Sequence, residues 1–201
     1  MSKALVELIR NKFPDAFVET HSQVGDDTVV VKSEAWHDVC AFLKSSPDSD
    51  IDMLIDLTAV DFPEREPRFE VVAHMYSLDL GHRLRLKTRV GDAKGENTDV
   101  ATLSDLWGSA NWMEREAWDM FGIVFDGHPD LRRILMYPEF KGHPLRRDYP
   151  ADKIQPLVEY RKVDNIDKLP PFDANEGMSF GRQTHDKTEE ESADAELFGD
   201  N

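Results

Sequence analysis

Cysteine is nearly absent: Cys40 is the only one in 201 residues. A single thiol excludes an internal disulfide, a cysteine-based zinc site and an iron–sulfur cluster held by this chain alone, and it suits a reducing compartment. No apolar run approaches the ~20 residues a membrane-spanning helix needs, so a soluble chain is expected. The opening residues, MSKALVELIR, lack the apolar core and small-residue cleavage site of a secretory signal. Positive charge is scarce as well. Asp plus Glu number 40 against 24 Lys plus Arg, a formal net charge of −16. Such a chain repels a phosphate backbone, so nucleic-acid binding is not expected. No glycine-rich phosphate or dinucleotide loop follows a strand-like run, and there is no Gly-x-Ser-x-Gly elbow. NAD, ATP and serine-nucleophile chemistry in this chain have no support in the sequence.

What is present reads as an α+β chain. Ser2 can cap a first helix whose Leu5, Leu8, Ile9 and Phe13 share a face, with Pro14 to stop it. AFVET and TVVVK, around Gly25-Asp26-Asp27, predict a hairpin. Ser33 opens a second helix with Trp36, Val39, Cys40 and Leu43 at helical spacing, which makes Cys40 a core residue. Three strand-like runs follow: IDMLIDLTAV, RFEVVAHMYSL and HRLRLKTRV. The last alternates Leu84, Leu86, Thr88 and Val90 with Arg83, Arg85, Lys87 and Arg89, which reads as a solvated outer face beside acidic neighbours, with a partner contact as the alternative. The expected fold is therefore two helices on one face of a mixed sheet, in the order α-β-β-α-β-β-β. A helical motif segment and an extended C-terminal tail come after it.

The motif segment begins with a short helix predicted at Ser104–Trp107. A longer one over 112–121 follows, with Asn111 as N-cap, Glu114 as capping-box partner and Gly122 as terminator. Met113, Ala117 and Phe121 form its apolar stripe; Glu114, Arg115, Glu116 and Asp119 fall largely elsewhere, with Arg115 and Asp119 as i, i+4 partners. Residues 127–150 repeat Gly-His-Pro twice, each time close to an arginine pair. The chain divides by composition into an α+β domain (1–102), a helix with an Arg-rich docking motif (103–150) and an extended tail (151–201). That tail carries spaced apolar residues from Ile154 to Phe180 and, acidic after 186, is expected to be disordered there.

Two chemistries compete for the arginine-rich stretch. A metal-dependent hydrolase would use His128, His143 and nearby carboxylates, but no His-x-x-x-His spacing supports it, and arginines beside each histidine oppose a divalent ion. A protein-docking surface fits better. Arg forks grip carboxylates, and Trp112, Met113, Trp118, Met120 and Phe121 supply the aromatic and Met content of an interface core.

The run Glu114-Arg115-Glu116-Ala117-Trp118-Asp119-Met120-Phe121-Gly122-Ile123 continues as Gly127-His128-Pro129-Asp130-Leu131-Arg132-Arg133-Ile134-Leu135. It closes on Gly142-His143-Pro144-Leu145-Arg146-Arg147-Asp148-Tyr149-Pro150. Over 114–150 this resembles the signature of the thirty-kilodalton C subunit of respiratory complex I, the proton-pumping NADH–quinone oxidoreductase. The resemblance implies a non-catalytic subunit of the peripheral arm, on the cytoplasmic side of the bacterial inner membrane. Such a subunit meets the membrane only through the complex. It docks to the homologue of the forty-nine-kilodalton D subunit, contacts other peripheral-arm subunits and supports electron transfer from NADH to quinone. FMN, iron–sulfur clusters, NADH and quinone are then held by other subunits and no cofactor by this chain. The docking residues implied are Glu114, Arg115, Glu116, Trp118, Asp119, Phe121, His128, Arg132, Arg133, His143, Arg146, Arg147, Asp148 and Tyr149. The same signature is similar to that of equivalent subunits in membrane-bound hydrogenases and ferredoxin-linked complexes.

Overall fold

The structure, a computed structural model, describes residues 2–23 and 25–158. Helix α1 (Ser2–Lys12) is followed by the hairpin β1 (Phe17–Gln23) and β2 (Asp26–Val31). A 3-10 turn (Ser33–Ala35) leads into α2 (Trp36–Ser45), and a meander of β3 (Met53–Asp61), β4 (Phe69–Tyr76) and β5 (Arg83–Val90) comes next. The five strands make one mixed sheet in the order β1-β2-β5-β4-β3. Only β2 and β5 run parallel, with Val29 opposite Leu86 and Val31 opposite Thr88. The parallel pair follows from the connection. Leaving β2, the chain crosses through α2 to the far edge at β3, and two antiparallel turns bring β5 back beside β2.

One face of this sheet is the core. Val29, Val31, Val71, Ala73, Met75, Leu84 and Leu86 point inward and meet Leu5 and Ile9 from α1 and Trp36, Val39, Cys40 and Leu43 from α2. Burial pushes the Cys40 thiol well above its ordinary value, with Glu114 adding to the effect, so the residue is an inert core filler. The opposite face behaves as the alternation predicts. Lys87 and Arg89 both reach Glu70, at 3.0 and 3.1 Å, Arg89 also reaches Glu19, and Arg85 lies 3.3 Å from Asp26.

Beyond β5, the short strands β6 (Val100–Ala101) and β7 (Phe125–Asp126) pair in parallel around helix α3 (Ala110–Phe121). Ala117, Met120 and Phe121 of α3 join the same core as Leu57 and Ala59 of β3. Two local expectations need correction. Residues 104–107 form a single turn, in which Leu106 and Trp107 both donate to the Leu103 carbonyl, and no helix. The N-cap of α3 is Ser109, two residues before Asn111, and no capping box forms. The Ser109 hydroxyl donates to the Leu54 carbonyl instead, and Trp107 Nε1 to that of Asp52, which seals the outer edge of β3. Gly122 does terminate the helix, in the left-handed conformation with φ of 78°.

Residues 151–158 carry no helix or strand, and their Ile154 and Leu157 side chains are almost fully exposed. The expectations for 159–201, including the acidic stretch after 186, lie outside the described residues. Among the described residues, no helix is long and apolar enough to cross a membrane.

Candidate functional site

A helix leaves its last four carbonyls without partners inside it. In α3 these belong to Trp118, Asp119, Met120 and Phe121, and each finds a donor. Gly122 N–H reaches Trp118 O at 2.8 Å, and Leu145 N–H reaches Met120 O at 3.1 Å. His143 Nδ1 donates to Asp119 O at 3.0 Å, and Arg146 Nε to Phe121 O at 2.5 Å. The second Gly-His-Pro corner is thus the C-terminal cap of α3. It packs so closely that a Cβ on Gly122 would stand 2.6 Å from both His143 Nε2 and Arg146 Nη2.

The first Gly-His-Pro corner grips the other end of the same helix. His128 Nδ1 accepts from the Asp130 amide at 3.1 Å, which leaves Nε2–H to donate to the Asn111 carbonyl at 3.1 Å. Carbonyls eight positions apart on one helix are separated by roughly 12 Å. The two histidines are therefore not brought together, and a hydrolase metal held by both has no geometry here.

Between the corners, Asp119 organises the irregular chain. Its Oδ1 accepts from Arg133 Nη1 at 2.5 Å, and its Oδ2 accepts from the amides of Ile134, Leu135 and Met136 at 3.1, 2.9 and 2.9 Å. Burial pushes this carboxyl up, but the Met136 amide, Arg133 and the amides of Ile134 and Leu135 outweigh it and hold it below its ordinary value. Arg133 also donates to the carbonyls of Phe140 and Gly142 and stacks over Trp118 and Phe140. Arg115 donates to the carbonyls of Arg132 and Arg133 and lies over Trp112, so the expected pair with Asp119 does not form. The reason is tertiary. Segment 127–150 covers one further side of α3 and the Thr102–Leu103 stretch another, so Arg115, Asp119 and Glu114, expected off the buried stripe, become internal.

The closing motif reaches back to the sheet. Arg68 binds Asp61 through two contacts of 2.7 and 2.8 Å and Asp148 through a third at 2.9 Å, while the Arg147 amide donates to Asp61 Oδ2 at 2.8 Å. Tyr149 stacks on Phe140, and its hydroxyl accepts from Gln155. Sequence reading missed Arg68 and Asp61. They sit among the many charges of DFPEREPRFE, and only their place at paired strand ends distinguishes them. Glu116, Arg132 and Arg147 keep exposed side chains; among the described residues Arg132 pairs only with the exposed Asp130, at 2.9 Å.

Glu114 is the outlier of the site. Its sealed carboxylate accepts from Thr102 Oγ1 and the Leu103 amide at 2.5 and 2.6 Å, and the nearest cationic candidate, His128 Nε2, is 4.0 Å away. Burial, against these hydrogen bonds and aided by Asp105, pushes its pKa up to about 7. A carboxyl whose folded pKa exceeds its ordinary 4.5 gives stability that is present at low pH and lost as pH rises through the folded value. Between pH 5 and pH 8 the loss is roughly 2–3 kcal/mol. Glu114→Gln has no charge to bury. In urea titrations at both pH values, its stability relative to wild type should improve by about that amount at pH 8. Equal differences at the two values would show that Glu114 titrates normally.

The chain is similar to known proteins throughout this region. The family model for the respiratory-chain NADH dehydrogenase 30 Kd subunit matches residues 29–155. The NADH-quinone oxidoreductase C subunit of Cereibacter sphaeroides is 40% identical over 184 residues, 86% of this chain and 90% of that protein. Its namesake in Thiobacillus denitrificans is 37% identical over 196 residues, 90% and 97% of the two chains. Among solved structures, the trypsin-resistant fragment (1-134) of Nqo5 matches with a TM-score of 0.55 at 31% identity, covering 63% of this chain and 98% of the fragment. A chain of the membrane-bound sulfane sulfur reductase, an archaeal respiratory membrane complex, shares the fold with a TM-score of 0.63 at 24% identity, covering 84% and 99%.

Proposed function

The chain belongs to the 30 Kd subunit family of respiratory-chain NADH dehydrogenases, and from that premise we propose that it is a structural, non-catalytic subunit of a bacterial NADH–quinone oxidoreductase. It docks to the forty-nine-kilodalton subunit homologue on the cytoplasmic side of the membrane and supports electron transfer from NADH to quinone without holding a redox group. One observation carries this reading. The clasp around α3 satisfies its own backbone and then presents a mixed rim of Trp112, Glu116, Arg132, Leu135, Leu145 and Arg147 to solvent. Large apolar side chains and arginines interleaved in this way match a protein interface. Exposed Ile154 and Leu157 on the adjoining segment suit pockets on the same partner.

The chain then divides by role: 1–102 as scaffold, 103–150 as docking element and 151–201 as an extension over the partner. Internal residues such as Asp119, Phe121, Arg133 and His143 shape the docking surface, and the exposed ones touch the partner. Among the described residues, Arg132→Glu together with Arg147→Glu removes no side-chain contact beyond the exposed Asp130 pair. The doubly reversed protein should melt like wild type yet bind the forty-nine-kilodalton homologue about tenfold or more weakly, since like charges would face the partner. Co-purification from native membranes with mass spectrometry reads this directly. Undiminished recovery of oxidoreductase subunits with the reversed chain counts against the docking surface, and recovery of hydrogenase or ferredoxin-linked subunits would reassign the complex.

A further inference from the structure

Arg146 stands apart from the other covered arginines. Arg68 holds two carboxylates, Arg133 holds one, and Arg115 spreads its donors over two carbonyls and an indole face. Arg146 spends Nε on the Phe121 carbonyl, and among the described residues its Nη1 and Nη2 have no acceptor. The carboxylates nearby are already engaged: both oxygens of Asp61 and Oδ2 of Asp148 by Arg68, and Asp119 by Arg133.

The group is also held for use. It lies over the Phe69 ring at 5.1 Å, between two glycines that leave no room for a side chain. A Cβ on Gly95, where φ is 76°, would stand 2.9 Å from Arg146 Nη1 and 3.3 Å from Arg68 Nη1; one on Gly122 would stand 2.6 Å from Arg146 Nη2. Arg146 as a whole is only partly buried. Burial and the neighbouring Arg68 act against the charge, and the carboxylates of Asp148 and Asp61, engaged by Arg68, offset them only in part. A half-covered, pre-positioned fork beside a second cation is costly unless an anion answers it.

We propose that the Nη edge of Arg146 is a socket for a carboxylate side chain of the partner protein, bound through both oxygens. This rests on the docking reading and names the chemistry that the partner must supply at one position. The bidentate form follows from the geometry, because with Nε consumed the two Nη groups remain as a pair whose spacing matches a carboxylate.

The test uses the assembled complex. Arg146→Lys places an amine in the socket, and a zero-length carbodiimide joins it to any carboxylate in contact. Mass spectrometry should find the cross-link to an Asp or Glu of another subunit. A link only to this chain's own carboxylates, Asp148 or the acidic stretch after 186, overturns the proposal, as does no link. Should that variant not assemble, dicarbonyl labelling of the unaltered chain decides. Arg146 should be modified in the free chain and protected at least about tenfold in the complex, and equal labelling overturns the socket. If the chain never co-purifies with oxidoreductase subunits, the docking reading itself fails. Co-purification with an unlinked, unprotected Arg146 sinks the socket alone.

Discussion

Asp119→Ala is expected to destabilise the chain by about 3–5 kcal/mol, the range for removing one member of a buried ion pair. The side chain of Asp119 is fully buried and serves four donors at once. Its loss leaves the Arg133 guanidinium with carbonyls alone and strips the amides of Ile134, Leu135 and Met136 of their acceptor, each a cost of about 1–3 kcal/mol where water cannot enter. Asp119→Asn keeps an oxygen for the amides but turns an NH2 donor, in place of the second oxygen, toward Arg133, so its effect should be roughly half as large. Urea titration gives the magnitudes, and amide exchange gives the location. Protection should fall across 132–143 while β4 and β5 stay protected at levels near the global stability. A loss below about 1 kcal/mol would mean that solvent replaces the carboxylate, and the clasp would not be the organising element described.

Arg68→Met should cost a similar amount, about 3–5 kcal/mol, for a different reason. Asp61 is 1% exposed at its side chain and Arg68 3%, so the variant strands a covered carboxylate whose one remaining hydrogen bond, among the described residues, comes from the Arg147 amide. The native pair holds Asp61 below its ordinary value: burial raises it, and Arg68 and the Arg147 amide more than offset that. A carboxyl with a depressed folded pKa contributes stability above its ordinary value of 3.8 and loses it as pH falls through the folded value. Wild type should therefore weaken in acid, and Arg68→Met should weaken much less from its lower starting point. Combining Arg68→Met with Asp61→Leu removes both charges and should recover most of the loss. The coupling in that double-mutant cycle should reach about 2 kcal/mol or more, and additive effects would show that the two side chains act independently.

These two networks explain why the arginine-rich stretch was only partly legible. Its identity as a dense, specific string was visible in the residues, and so was Gly122 as a helix stop. The partners were not. Arg115 and Asp119 have the spacing of a helical ion pair, yet each is drawn to the segment beyond the helix. That segment has no regular structure, so its carbonyls and amides need side-chain donors and acceptors. Glu114 stands three residues from Asn111, as a capping box requires, but the Thr102 and Leu103 donors claim it. Local spacing describes what a helix can do alone, and here the competing contacts come from residues brought in by the fold.

The sequence by itself determined the α+β order, the two faces of β5, the core role of Cys40 and the family, because hydrophobic periodicity and a long motif are properties of the chain read in one dimension. Only the tertiary structure decided which carboxylate each arginine holds, why two Gly-His-Pro corners exist, and that Arg68 and Asp61 tie the sheet to the clasp. Those pairings span up to 80 positions along the chain, from Arg68 to Asp148. Charges so far apart choose partners by burial and distance after folding, and no pattern of neighbours encodes that choice.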